Sequence, residues 1–142
     1  MVLVSACLWG VRCRYDGCDK RNERLIAKLK DASVLPVCPE ELGGLSTPRP
    51  PAQFVGGDGR AVLAGRARLV NAEGDDVTEQ YLRGAREVVS RVERLGIREG
   101  YLKDFSPACG LTRVTVDGER VKGIGVCAAM LAEAGLTLHA VR

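Results

Sequence analysis

The sequence predicts an α/β fold: a single domain with a mostly parallel sheet flanked by helices, and a small accessory β hairpin. Short β-branched and apolar runs alternate with amphipathic stretches, an order that favours right-handed crossovers between parallel strands. A hairpin turn is predicted at Asp117-Gly118, which lies between two alternating runs. A chain of 142 residues is long enough to bury one core, so we expect residues 1–142 to form one domain.

Three of the predicted strands end at a cysteine. They are VLVSAC at residues 2–7, VLPVC at residues 34–38 and YLKDFSPAC at residues 101–109. The carboxyl ends of neighbouring parallel strands meet at one edge of a sheet, where α/β proteins bind their ligands. We therefore expect Cys7, Cys38 and Cys109 to lie close together at that edge.

The run at residues 34–38 is apolar enough for a strand that is covered on both faces. Pro36 interrupts its hydrogen-bond ladder, and Pro39 ends the ladder because proline has no backbone N–H. Pro39 is also a favourable first residue for a helical turn, which two glycines soon end. Cys38 and Glu40 are therefore expected at a tight corner between strand and helix.

Helical periodicity predicts three helices, and one more strand is predicted after the last of them. The helices cover residues 20–30, 76–95 and about 125–134, and the last strand covers residues 136–141. The middle helix is the best defined, because Asp76 and Glu79 form a capping-box-like start and Gly96 follows its last apolar residue. Asp19 or Asn22 is the expected cap of the first helix.

Residues 45–60 form the least regular stretch. Three prolines and three glycines there exclude a central strand or helix and predict a loop. Loops of this length in so small a domain are usually functional or mobile. Residues 61–70 alternate loosely in polarity, which predicts an edge hairpin or a small accessory β element.

Composition excludes several classes of protein. The basic residues are spread along a chain of net charge +3, and aromatic residues make up 4%, so no nucleic-acid-binding surface is expected. No apolar run approaches the roughly 18–20 residues of a membrane span, and no basic segment precedes the first strand as a secretion signal would require. We expect a cytoplasmic protein, in which six cysteines serve better as ligands or reactive thiols than as disulfides.

The cysteines suggest a metal centre. Thiolates are soft ligands that suit zinc, copper(I) or iron–sulfur clusters, and three thiolates on a cubane cluster would leave one iron open as a Lewis acid. The alternative is that Cys7, Cys38 and Cys109 only fill the core. Cys13 and Cys18 share a loop and could supply an extra ligand, a nucleophile or a redox pair.

Polar residues near these corners are candidates for catalysis or substrate binding. Glu40 could act as a general acid or base, although Glu41 fits the first turn of a helix equally well. Ser106 could orient substrate or relay a proton, although a Ser-Pro pair also forms turns. Arg14 and Asp16 could hold a polar ligand. Lys103 and Asp104 are predicted to be solvated residues of a strand.

Four motifs together resemble a small bacterial family that includes the thiouracil desulfidases. They are VSACLWGVRCRYDG, VLPVCPEELGGLSTPRPP, LKDFSPACG and GIGVCAAMLAEAGL, which cover nearly the whole chain. The resemblance implies a [4Fe-4S] cluster held by Cys7, Cys38 and Cys109, with a free fourth iron. Trp9 and Ala108 depart from the family pattern, which bears on the shape of the pocket.

The resemblance also implies a reaction. The substrate sulfur would bind the open iron, and a water activated by Glu40, with Ser106 assisting, would attack the carbon. A thiolated pyrimidine base or nucleoside would yield a uracil and hydrogen sulfide. Apart from the resemblance, the loop residues Cys13, Arg14 and Asp16 are the candidate substrate contacts.

Two other functions remain open from the sequence. The first is a zinc-binding structural or regulatory module in which His139, the only histidine, joins the three strand-end cysteines as the fourth ligand. The second is a thiol redox protein that uses Cys13 and Cys18. In each case we expect a monomer or a homodimer.

Overall fold

The computed structural model describes all residues, Met1–Arg142, as two four-stranded sheets and five helices. The strands are β1 (Val2–Ser5), β2 (Val34–Val37), β3 (Ala52–Val55), β4 (Arg68–Asn71), β5 (Glu99–Lys103), β6 (Arg113–Val116), β7 (Glu119–Lys122) and β8 (Thr137–Val141). The helices are α1 (Glu23–Lys28), α2 (Pro39–Leu42), α3 (Gly59–Leu63), α4 (Thr78–Leu95) and α5 (Val126–Glu133). None of the helices is both long and apolar enough to cross a membrane.

The first sheet is entirely parallel, in the order β2-β1-β5-β8, and confirms the predicted α/β fold class. Its inner strand β1 carries the fully buried Leu3 and Val4. The strand β2 lies at the edge, where the exposed Pro36 costs the sheet no inner hydrogen bond. The prediction that this strand is covered on both faces is wrong, because only Val37 in it is fully buried.

The second sheet has the order β4-β3-β6-β7 and contains the predicted hairpin. Antiparallel pairing joins β6 and β7, and the turn residues Asp117 and Gly118 both have positive φ, at 50° and 84°. Positive φ at both central positions is what the tight hairpin turn requires. The accessory hairpin is thus confirmed, as half of a larger sheet.

The prediction of a loop over residues 45–60 is wrong, because β3 lies within it as an inner strand of the second sheet. The prolines all precede Ala52 and the glycines all follow Val55, so the breaking residues flank the strand without interrupting it. Fully buried Phe54 anchors β3 between β4 and β6. The sequence predicts an edge hairpin or a small accessory β element over residues 61–70. The structure instead begins this stretch within the short helix α3, and only then forms β4, which is an edge strand of the second sheet.

The remaining helices confirm the sequence analysis, with small shifts at their ends. Asn22, rather than Asp19, caps α1 by accepting the N–H of Leu25 at 2.9 Å. The long helix α4 ends at Gly96, which adopts the left-handed conformation at φ 66°. In α5 most side chains are buried, and Cys127 lies in the core.

The one-turn helix α2 packs directly on α4 through two glycines. A Cβ atom on Gly43 would lie 1.9 Å from the carbonyl oxygen of Gln80, and one on Gly84 would lie 1.9 Å from that of Pro39. No other residue therefore fits at either position without moving a backbone. This contact fixes the start of α2, where Cys38 and Glu40 lie.

Asp104 was predicted to be solvated, but its side chain is buried and organises the loop after β5. Its carboxylate accepts the backbone N–H groups of Phe105, Leu111 and Thr112 and the hydroxyl of Thr112. Burial alone would raise the pKa of Asp104, but these hydrogen bonds outweigh burial and hold the pKa well below its usual range. The prediction failed because the sequence gives no sign of the backbone donors that surround this side chain.

We expect Gly84→Ala to lower the free energy of unfolding by about 1–3 kcal/mol, because the new methyl group would collide with the carbonyl of Pro39. Helix propensity alone predicts the opposite sign, a gain of about 1 kcal/mol. Urea denaturation of both proteins, with the exposed Ser90→Ala variant on the same helix as control, measures the difference. Equal or greater stability of Gly84→Ala would contradict the close contact.

Asp104→Ala should lower the free energy of unfolding by about 3 kcal/mol at pH 7, because three buried N–H groups lose their acceptor. The folded-state pKa of Asp104 is depressed, so its contribution is complete above the unfolded value near 4 and is lost as the pH falls further. Denaturation curves at several pH values should show the two proteins converging in acid. The exposed Asp75→Ala variant is the control, and a deficit that does not depend on pH would contradict this assignment.

Candidate functional site

The three strand-end cysteines open into one cavity of about 690 Å³. Cys7 lies in a 3-10 turn, Ala6–Trp9, directly after β1, and Cys38 lies between β2 and α2. Cys109 lies in the loop after β5. Because β1 pairs with both β2 and β5 in parallel, the three carboxyl ends meet, and the predicted convergence of the cysteines is confirmed. Residues of the second sheet complete the wall of the cavity.

Close backbone packing holds the loop that carries Cys109. The hydroxyl oxygen of Ser106 accepts the N–H groups of Ala108 and Cys109 at 3.1 and 3.0 Å. A Cβ atom on Gly125, at the start of α5, would lie 2.5 Å from the carbonyl of Ala108. The loop is therefore held by hydrogen bonds to its own residue Ser106 and by close packing against the start of α5.

The thiols in this cavity are difficult to ionise without a positive partner. Burial raises the pKa of Cys7 to about 11, although the nearby charge of Arg14 opposes the rise. Burial likewise raises the pKa of Cys109, with Cys127 and Glu40 adding to the effect. Hydrogen bonding with Cys13 raises the pKa of Cys38, and burial adds to it. A metal group that replaces the thiol protons would remove this penalty.

The donor set suits a cluster better than a single ion. No three Cys, His, Asp or Glu side chains are gathered closely enough to hold one metal ion. An iron–sulfur cluster instead spreads its protein ligands over several iron atoms, and thiolates are its usual ligands. The thiols that line the cavity are therefore of the type that an iron–sulfur cluster takes.

His139 takes no part in this cavity. Its Nε2 atom lies 2.9 Å from a carboxylate oxygen of Glu99, and its ring stacks on Tyr101 with centroids 4.5 Å apart. His139 is not among the residues that line the cavity. The zinc module considered from the sequence thus lacks its fourth ligand here.

Glu40, and not Glu41, faces the cavity. Its side chain is 13% exposed, with Oε2 3.6 Å from Nη2 of Arg49 and Oε1 3.8 Å from the sulfur of Cys38. Burial raises the pKa of Glu40, while the charge of Arg49 opposes the rise. Glu41 instead points away and accepts the hydroxyl of Thr47 at 2.6 Å. The structure thus shows which of the two adjacent glutamates lines the cavity, a choice that the sequence left open.

Ser106 also lines the cavity. Its oxygen accepts two backbone N–H groups, so its own proton remains free to be donated into the cavity. The turn-forming role considered from the sequence and a role toward substrate are therefore compatible in this residue.

The loop after the 3-10 turn brings only part of its candidate set to the cavity. Cys13 and Arg14 line it, whereas Asp16 does not. The Nε atom of Arg14 is buried without a hydrogen-bond partner, 3.9 Å from Oδ1 of Asp16. Asp16 accepts the backbone N–H of Cys18, which is exposed. Asp16 therefore supports the loop from outside instead of facing a ligand.

Several lining residues were missed by the sequence analysis. Arg49 lies in the proline-rich stretch with no motif to mark it, and Tyr81 is hidden within the apolar face of α4. Lys103, predicted to be solvated, lines the cavity, and burial followed by the charge of Arg14 lowers its pKa. Trp9 and Ala108, where the chain departs from the family pattern, do not line the cavity.

Comparison with known proteins agrees with this geometry. The family model for 2-thiouracil desulfurase matches residues 2–141. The uncharacterized protein YbbK of Bacillus subtilis (strain 168) is 41% identical over 138 residues, covering 95% of this chain and 91% of the relative. The solved structure of the [4Fe-4S]-dependent thiouracil desulfidase TudS superimposes with a TM-score of 0.82 at 35% identity, covering 98% of this chain and 89% of TudS. The chain therefore belongs to the 2-thiouracil desulfurase family of enzymes.

Proposed function

We propose that this enzyme uses a [4Fe-4S] cluster to hydrolyse the carbon–sulfur bond of a thiolated pyrimidine, such as 2- or 4-thiouracil. The observation that carries the proposal is the meeting of Cys7, Cys38 and Cys109 beside the buried carboxylate of Glu40 in one cavity. The similarity to TudS, described as a [4Fe-4S]-dependent thiouracil desulfidase, supports it. A base or nucleoside is the expected substrate, acted on in the cytoplasm by a monomer or homodimer.

The residues present fit the cluster that this function needs. Cys7, Cys38 and Cys109 would hold it, and the cations Arg14 and Lys103, which act on Cys7, would offset the charge of the thiolates. When bound, the cluster supplies an open Lewis-acid position for the sulfur of the substrate. The residues of the chain then have to bind the ring, supply water and move protons.

Glu40 is the proposed general base. Burial raises the pKa of its carboxyl, which makes the carboxylate a better proton acceptor, and Oε1 lies 3.8 Å from the sulfur of Cys38 at the cavity wall. Water adds its oxygen to the substrate carbon and loses a proton to Glu40, and sulfur leaves with two protons as hydrogen sulfide. Atoms and charges balance without an electron acceptor. Ser106 has a free hydroxyl proton with which to assist this transfer.

Arg14 and Cys13 are the proposed contacts to the pyrimidine ring. The Nε–H group of Arg14 has no hydrogen-bond partner within the protein, so a carbonyl oxygen or a deprotonated ring nitrogen of the substrate would satisfy it. Asp16 would act one step further out, by holding the guanidinium of Arg14 in place at 3.9 Å.

We expect the protein purified without oxygen to contain about four irons with matching acid-labile sulfide. Cys38→Ala should lose both, together with thiouracil turnover, whereas the exposed Cys18→Ala control should keep them. Elemental analysis and a sulfide assay measure the outcome. Zinc in place of iron after attempted reconstitution, or a Cys38→Ala variant that keeps iron and activity, would contradict the proposal.

Glu40→Gln should keep its iron and lower kcat by roughly 10²–10⁴-fold, because the amide has the same shape but cannot accept the proton from water. The control is Glu41→Gln, since Glu41 lies outside the cavity and should leave turnover unchanged. Hydrogen sulfide release from 2-thiouracil and 4-thiouracil, followed anaerobically, measures both rates. Equal rates in the two variants would remove Glu40 from the reaction.

A further inference from the structure

We propose that Arg49 is a positioning residue that holds the carboxylate of Glu40 at the cavity wall, an inference that rests on the proposed function. The side chain of Arg49 is 6% exposed, and its guanidinium lies between the carboxylate of Glu40 and the loop that carries Cys13. Its Nη2 atom lies 3.6 Å from Oε2 of Glu40 and donates to the carbonyl oxygen of Cys13 at 2.9 Å. One nitrogen therefore connects the two walls of the cavity.

The rest of Arg49 is fixed as firmly as its tip. The Nη1 atom donates to the hydroxyl of Thr47 at 3.0 Å and to the carbonyl of Ser46 at 3.2 Å. The backbone N–H of Arg49 donates to the carbonyl of Tyr15 at 2.8 Å. Because the guanidinium is a rigid planar fork, these bonds leave Nη2 little freedom to move.

These contacts form part of a closed ring of interactions. The thiol of Cys38 approaches the same Cys13 carbonyl oxygen, at 3.6 Å, and also Oε1 of Glu40, at 3.8 Å. Arg49 joins the same two partners from the other side. A ligating Cys38 carries no thiol proton, so in the working enzyme Arg49 would be the remaining link between Glu40 and the Cys13 loop.

A double-mutant cycle distinguishes a residue that acts through Glu40 from one that only braces two loops. With 2-thiouracil as the substrate, we expect Arg49→Gln to lower kcat by roughly 10–100-fold with little change in KM and unchanged iron content. Arg49→Lys should recover part of that loss. The double variant Arg49→Gln/Glu40→Gln should be no slower than Glu40→Gln alone, because both changes remove the same contribution.

The control is Arg66→Gln, which removes an exposed arginine that makes no side-chain hydrogen bond or ion pair, and it should match the unaltered enzyme. Full kcat in Arg49→Gln, or losses that multiply in the double variant, would overturn the inference. If Arg49→Gln does not fold, the cycle is run with Arg49→Lys, and the same two outcomes decide.

A structural measurement separates this inference from the proposed function. The anaerobic crystal structure of the iron-loaded Arg49→Gln or Arg49→Lys variant should show the Glu40 carboxylate turned away from Cys38. A carboxylate that stays in place would overturn the role of Arg49. An unaltered protein that carries its cluster but releases no hydrogen sulfide from either thiouracil would instead refute the proposed function, and the crystal structures would still decide the position of Glu40.

Discussion

The backbone contact between α2 and α4 is the constraint on which the cavity depends. Gly43 and Gly84 let the two helices approach until peptide groups touch, so the short helix has no freedom to slide. The long helix is anchored in turn by buried side chains along one face, among them Ala85 and Val88. A site that begins at the first turn of a four-residue helix thereby gains the rigidity of the core.

Asp104 and Glu40 both line the cavity, but their surroundings shift their pKa values in opposite directions. Asp104 is enclosed by backbone N–H groups and a hydroxyl, so its charge is stabilised and its pKa is lowered. For Glu40, burial has the largest effect, and the charge of Arg49 at 3.6 Å does not offset it, so the pKa of Glu40 is raised. The first residue therefore holds a loop, whereas the second is available for proton transfer.

Sequence reasoning succeeded where local chemistry decides the backbone. The end of α4, the Asp117-Gly118 turn and the cysteines at three strand ends all follow from residues within a few positions of one another, whereas the capping box predicted at Asp76 and Glu79 is wrong, because Val77 occupies the N-cap position of α4 without a side-chain cap. It failed at β3, because the prolines and glycines on the two sides of this four-residue strand predict a loop for the whole stretch. Whether such a strand forms depends on β4 and β6, which are distant in sequence.

The sequence by itself determined the class of fold, the strand-end thiols and the family that its motifs resemble. Only the tertiary structure chose Glu40 over Glu41, brought Arg49 to the cavity and enclosed Asp104 in backbone donors. The physical reason is that hydrophobic period and turn chemistry describe a residue and its near neighbours along the chain. The surroundings of a side chain depend on elements that pack against it from elsewhere, and no local pattern records them.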